Sequence, residues 1–111
     1  MSDIITFEDF TKVDLRVGTI NEVHDFPEAR NPAYQITIDF GDLGIKKSSA
    51  QITALYQKED LLNRQIVAVV NFPKKQIAKF MSECLVLGAV NGKNVMLLNP
   101  ETKVKNGSTV S

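Results

Sequence analysis

Tyr34, Ile36, Ile38 and Phe40 alternate with Gln35, Thr37 and Asp39. A strict period of two is what a half-buried β-strand needs, because successive side chains point to opposite faces. Gly41-Asp42-Leu43-Gly44 follows and reads as a tight reversal, so Ile45 to Ala50 returns as the second arm of a hairpin. Ahead of this pair, Val13 to Val23 reads as one long strand. Val13, Leu15 and Val17 alternate, and the apolar phase then shifts to Ile20 after Gly18. A phase shift at a glycine predicts a bulge or sharp bend there.

The rest of the chain adds strands faster than helices. Gln65 to Phe72 and Cys84 to Val90 are nearly continuous apolar runs, and the first is expected in the centre of a sheet. Asn91-Gly92 predicts a turn, with Val95 to Leu98 as the next arm, and a last strand is expected near Val104. Two helices are short. Glu8 to Phe10 has Thr6 as N-cap and Asp9 at the third helical position. Thr53 to Leu62 draws its apolar contacts from Ala54, Leu55 and Leu62. Pro27, Asn31 and Pro32 mark residues 26–33 as a loop. Five or more strands with short helices predict an all-β chain, a small five-stranded β-barrel of the OB type. At 111 residues it is about one domain long, and 1–111 is read as a single domain.

Between the two apolar runs lies Asn71-Phe72-Pro73-Lys74-Lys75-Gln76-Ile77-Ala78-Lys79-Phe80-Met81-Ser82-Glu83. It holds three lysines, two phenylalanines and a serine, with no acid before Glu83. Cations neutralise phosphates and aromatic faces stack on bases, so such a loop suits nucleic acid. Apolar side chains held beside it can equally grip a peptide.

Thirteen basic and thirteen acidic side chains cancel, which excludes a generic polycation. Their distribution is uneven. Residues 1–42 carry three bases and nine acids, a balance of −6, whereas residues 43–82 carry seven bases and two acids, a balance of +5. A basic patch is compatible with zero net charge if the middle segment shares a face.

Other chemistry is poorly served. The one cysteine, Cys84, can form neither an intramolecular disulfide nor a multi-cysteine metal cluster, and reads as a small core residue. His24 stands alone, without a partner at metal or triad spacing. Asp14 and Glu22 have no paired acid–base logic around them. No phosphate-cradling glycine loop or nucleophile elbow is present. The expectation is a binding protein rather than an enzyme, with no cofactor or metal. No apolar run approaches the roughly 20 residues that cross a bilayer, and Met1 to Ile5 lacks the features of a signal peptide. No membrane insertion and a cytoplasmic location are therefore expected.

At this point the residues resemble a family. Val13-Asp14-Leu15-Arg16-Val17-Gly18-Thr19-Ile20 and Pro27-Glu28-Ala29-Arg30 are similar to the opening of the tRNA-binding OB domain. That domain occurs free-standing, in the C-terminal part of many methionyl-tRNA synthetases and in some synthetase-associated cofactors. Ile38-Asp39-Phe40-Gly41 and Lys47-Ser48-Ser49-Ala50-Gln51-Ile52-Thr53 most resemble its CsaA subgroup of export-related chaperones. Val69 to Pro73 and Ser82 to Gly88 match it again. The resemblance implies an OB barrel whose N- and C-terminal extensions form a homodimer. It also implies tRNA binding and, for the CsaA group, binding of unfolded or precursor polypeptides in protein export. A structural dimer that recruits another protein, such as an aminoacyl-tRNA synthetase, is the alternative. One departure stands out: the family carries a glycine where this chain has Lys79, and a lysine tolerates positive backbone angles poorly.

Lys47, Gln51, Asn71, Lys74, Lys75, Lys79 and Ser82 are thus the expected nucleic-acid contacts. The lysines would position phosphates, and the amides and hydroxyl would meet sugars or base edges. The plainer readings are solvated lysines, an Asn71 that shapes its loop and a Ser82 that caps a turn. Glu83 opposes phosphate and is read as an anchor for a lysine. Phe72, Ile77, Phe80 and Met81 are the expected peptide contacts, set against packing in a core or dimer interface, which is the favoured reading for Phe72.

Overall fold

The computed structural model describes residues 3–111. In chain order it contains α1 (Phe7–Thr11), β1 (Leu15–Asp25), β2 (Tyr34–Asp39), a 3-10 turn (Gly41–Leu43), β3 (Ile45–Ala50), α2 (Lys58–Leu61) and β4 (Gln65–Val69). Then come β5 (Lys75–Ile77), β6 (Phe80–Ser82), β7 (Leu85–Val86), β8 (Gly88–Asn91), β9 (Asn94–Leu97) and β10 (Thr109–Val110). The main sheet runs β3-β2-β1-β4-β7, with β10 added to β1, while β5–β6 and β8–β9 are separate hairpins. The five strands curl into a nearly closed barrel of the OB type.

The alternation in β2 does what a period of two predicts. Tyr34, Ile36 and Ile38 are buried and their neighbours half-buried. With Ile20, Phe40, Leu61, Ile66 and Ala68 they form the core. Burying each large side chain contributes about 1.5–3 kcal/mol. Polar atoms inside the wall are satisfied. The Tyr34 hydroxyl donates to the Tyr56 carbonyl at 2.9 Å, and the Tyr56 hydroxyl accepts from Leu97 N–H at 3.0 Å. The Arg64 guanidinium lies over the Tyr56 ring, 5.1 Å from its centroid.

Several expectations are corrected. The irregularity in β1 falls between Ile20 and Glu22, where the register against β2 shifts, not at Gly18. Gly18 is there for space: a Cβ would sit 2.6 Å from Ile38 Cγ2 and 2.7 Å from Phe40 Cδ1. The helix expected over Thr53 to Leu62 shortens to α2. Ala54, Leu55 and Leu62 are exposed, and Leu61 is the side chain that enters the core. The run from Gln65 stops pairing at Val69, and Cys84 to Val90 breaks into β7 and β8. The last strand is β10, not Val104. Val104 N–H instead donates to Gln65 Oε1 at 3.0 Å.

The tail is fastened to the barrel. Arg16 holds Asp14 Oδ1 at 2.6 Å and donates to the Gly107 carbonyl at 3.0 Å. At the other end α1 has its expected Thr6 N-cap, which the structure completes as a capping box, Thr6 Oγ1 accepting from Asp9 N–H and Asp9 Oδ2 from Thr6 N–H, each at 3.1 Å. That helix buries none of its residues, and Ile4, Ile5 and Phe7 are exposed.

Candidate nucleic-acid interface

The basic stretch folds as a hairpin of its own. Lys75 pairs with Ser82, Gln76 with Met81 and Ile77 with Phe80, leaving Ala78-Lys79 as a two-residue turn. Ala78 takes the positive φ, +54°, whereas Lys79 does not. The family's glycine position is therefore not where this turn is strained. Lys79 sits at an exposed hairpin tip, as a phosphate contact requires. The hairpin is pinned to the barrel by aromatic packing: Phe80 meets the buried Phe26 of the 26–33 loop at 5.4 Å between centroids, with the rings tilted by 57°. Alternation puts Lys75, Ile77, Phe80 and Ser82 on one face and Gln76 and Met81 on the other.

Beyond the hairpin the chain closes the barrel without adding a strand. Alternate backbone groups of β3 point away from β2 and would be left open at an edge. Lys47 N–H donates to Glu83 Oε1 at 3.0 Å, Glu83 N–H to the Lys47 carbonyl at 2.8 Å, and Ser49 N–H to Ser82 Oγ at 3.3 Å. Inside this seam Ser48 Oγ donates to the Cys84 carbonyl at 2.9 Å. The second Glu83 oxygen, Oε2, lies 3.5 Å from Lys74 Nζ.

These contacts sort the expected residues. Ser82 spends its hydroxyl on the seam. Asn71 spends both ends of its amide on the start of β1, accepting from Asp14 N–H at 2.9 Å and donating to the Lys12 carbonyl at 2.7 Å. Lys47 uses its backbone in the seam and keeps an exposed side chain. Among the described residues, Lys47, Lys75 and Lys79 enter no ion pair, and Lys74 pairs with Glu83 alone. Two other middle-segment bases are engaged elsewhere: Lys58 meets Asp25 at 3.0 Å, the contact that raises its pKa, and Arg64 covers Tyr56.

Beside the hairpin is a cleft of about 610 Å³, walled by Phe72, Pro73, Lys74, Lys75, Ser82 and Leu85. Phe72 is 53% and Leu85 49% exposed, so Phe72 is not packed in the core of this chain. Met81 is exposed on the opposite face, while Ile77 and Phe80 are half-buried against the barrel. The four expected peptide contacts therefore do not form one surface. Gln51 is also separate, in a cleft of about 480 Å³ formed with Asn31, Thr53, Val90 and Lys93. Leu85 escaped the sequence reading because Cys84 to Val90 looked uniformly apolar. The exposure of Leu85 beside the buried Cys84 leaves no mark in residue type, so the sequence carried no signal for it.

Burial pushes the Cys84 thiol up to about 11, against a weaker opposing hydrogen bond with Ser48, so it is neutral near pH 7 and a poor nucleophile. Among the described residues no group of three His, Cys, Asp or Glu side chains is placed to hold a metal. No helix among them is long and apolar enough to cross a membrane.

Comparison with known proteins agrees with the fold. Residues 15–109 match the model of the tRNA binding domain family. The methionine–tRNA ligase of Thermococcus onnurineus is 38% identical over 108 residues, 97% of this chain but 14% of the ligase. The chain thus spans about one-seventh of that relative's length. Among solved structures, the chaperone CsaA of Bacillus anthracis is 53% identical with a TM-score of 0.94, covering 98% of this chain and 100% of that one. The CsaA chaperone of Picrophilus torridus is 55% identical with a TM-score of 0.92, covering 97% and 100%.

Proposed function

The chain belongs to the tRNA binding domain family, and from that membership we propose that it is a non-catalytic, CsaA-like barrel that binds structured RNA, with tRNA as its ligand, through the β5–β6 hairpin. The observation that carries the reading is this hairpin, which projects Lys74, Lys75 and Lys79 into solvent from an aromatic mount. Lysines on such a hairpin contact phosphates and give binding by shape and charge, while sequence readout is minor. Lys47 on the adjacent β3 extends the track. The whole chain, 1–111, acts as a single domain in the cytoplasm.

The cleft beside the hairpin favours a second activity on the same molecule. Phe72 and Leu85 offer an apolar floor to a side chain of an unfolded polypeptide, the class of client a chaperone handles. Exposed Ile4, Ile5 and Phe7 supply apolar surface for a homodimer.

Gel-shift titration with bulk tRNA across a salt series tests the first activity. Replacing Lys74 and Lys75 together by alanine removes two phosphate contacts, so the slope of log affinity against log salt flattens by about 1.8. Unchanged affinity and slope would remove the hairpin from the interface. Suppression of client aggregation, lost in Phe72→Ala with tRNA binding retained, tests the second.

A further inference from the structure

The hairpin's cations are not equivalent. Lys75 and Lys79 point to solvent unpaired among the described residues, whereas Lys74 is held by Glu83, itself fixed to β3. Resting on the reading of this hairpin as the RNA contact, we propose that Glu83 is a positioning residue that sets the anion selectivity of the interface. One carboxylate oxygen takes the Lys47 N–H of the barrel seam and the other holds the Lys74 ammonium, so a phosphate engages Lys74 only by displacing a built-in anion.

The geometry supports two separable roles. Glu83 has a side chain only 25% exposed, and both its backbone N–H and Oε1 are committed to Lys47, so its position is dictated by the barrel. Lys74 is 65% exposed on a long, flexible stem, so its position is dictated by Glu83. With its lysine mostly in solvent, this ion pair contributes little to stability and yields readily to a competing phosphate. Structured RNA presents that phosphate at a fixed place and gains from a lysine already oriented towards it. A flexible polyanion has no such register and meets the carboxylate as plain repulsion. Glu83 therefore penalises loose polyanions more than folded RNA, a means of discrimination by a repulsive element.

Glu83→Gln in the full chain separates seam from charge, because the glutamine carbonyl still accepts from Lys47 N–H while the attraction for Lys74 is lost. Binding of bulk tRNA and of poly(U) is measured across a salt series, with thermal unfolding as control. The expected result is an unchanged melting temperature and a preference for tRNA over poly(U) lowered roughly three- to fivefold, the scale of one solvent-screened charge. On poly(U) the salt slope steepens by about 0.7, one more phosphate contact on a single strand. Glu83→Ala, which also opens the seam, lowers the melting temperature. An unchanged tRNA preference in Glu83→Gln, with Lys74→Ala still weakening tRNA binding, overturns the positioning role alone. If Glu83→Gln and Lys74→Ala both bind like the parent, Lys74 leaves the interface and the proposal falls; if the Lys74→Ala/Lys75→Ala double variant also does, the reading of the hairpin falls with it.

Discussion

The barrel wall around Tyr34, Tyr56 and Leu97 and the seam between β3 and residues 82–84 both satisfy backbone polar groups with side chains, but to different ends. In the wall, Tyr56 accepts from Leu97 N–H and Tyr34 bonds the Tyr56 carbonyl, all buried. In the seam, Ser82 and Glu83 do the equivalent for Ser49 and Lys47, yet Glu83 has a second oxygen left over for Lys74. The wall's polar groups look inward and close on one another. The seam's look inward and outward, so the same residue that closes the barrel also touches the proposed binding surface. Substitutions in the wall should therefore move stability alone, and those of the hairpin's lysine charges should move binding alone, with the seam as the boundary.

The hardest blow to the wall is Phe40→Ala. Phe40 is fully buried and sits where β2 reaches the turn into β3. Truncating a buried phenylalanine costs about 3–5 kcal/mol, a large share of what a domain this size has. Urea unfolding should record that loss, while the fraction that remains folded keeps the parent's salt slope on tRNA. A changed slope would mean that wall and hairpin are coupled.

Gly18→Ala strikes the same place from the other side. Its methyl would press on Ile38 and on Phe40. Overpacking of this kind costs about 1–3 kcal/mol, again without effect on binding. If instead the variant is as stable as the parent, the close approach of β1 to β2 is looser than the distances imply.

Asn71→Ala tests which side of the boundary its residue lies on. The amide bonds two backbone groups before β1 and lies one residue from Phe72. Losing both bonds should cost about 1–2 kcal/mol in urea unfolding and leave the tRNA salt slope alone. Weakened tRNA binding at unchanged stability would return Asn71 to the interface.

Much of the wall could be read from residues, because burial imposes a period. The alternation from Tyr34 to Phe40 and the capping pattern of Thr6 and Asp9 express local rules. Gly18 was misassigned because a bulge and a tight sheet contact leave the same glycine in a sequence. Only the partner strand, carrying Ile38 and Phe40, tells them apart. The candidate interface was legible as composition rather than as geometry. Lys74, Lys75 and Lys79 do project from one hairpin, but nothing local could show that Asn71 and Ser82 are bonded elsewhere in the fold. Nor could it show that Gln51 lies in a different cleft. Those facts depend on contacts spanning 57 residues for Asn71 to Asp14 and 33 for Ser82 to Ser49.

The smallest effect lies at the hairpin tip and has the opposite sign. Resemblance to a glycine-bearing turn directs suspicion to Lys79, whereas the backbone puts the left-handed residue one position earlier, at Ala78. An L-residue there costs roughly 1–2 kcal/mol, which glycine avoids. Glycine gives back about 0.5–1 kcal/mol in unfolded-chain entropy. Ala78→Gly should therefore stabilise the protein by about 0.5–1 kcal/mol, whereas Lys79→Gly, relieving no strain, should stabilise nothing and cost one phosphate contact. Thermal unfolding beside a tRNA salt series resolves the pair. The comparison breaks if Lys79→Gly is the stabilising variant, since the strain would then lie on the residue that carries the charge. It sharpens if Ala78→Gly gains stability at an unchanged salt slope, because the tip would then divide its work between neighbours: one residue bends the chain and the next meets the phosphate.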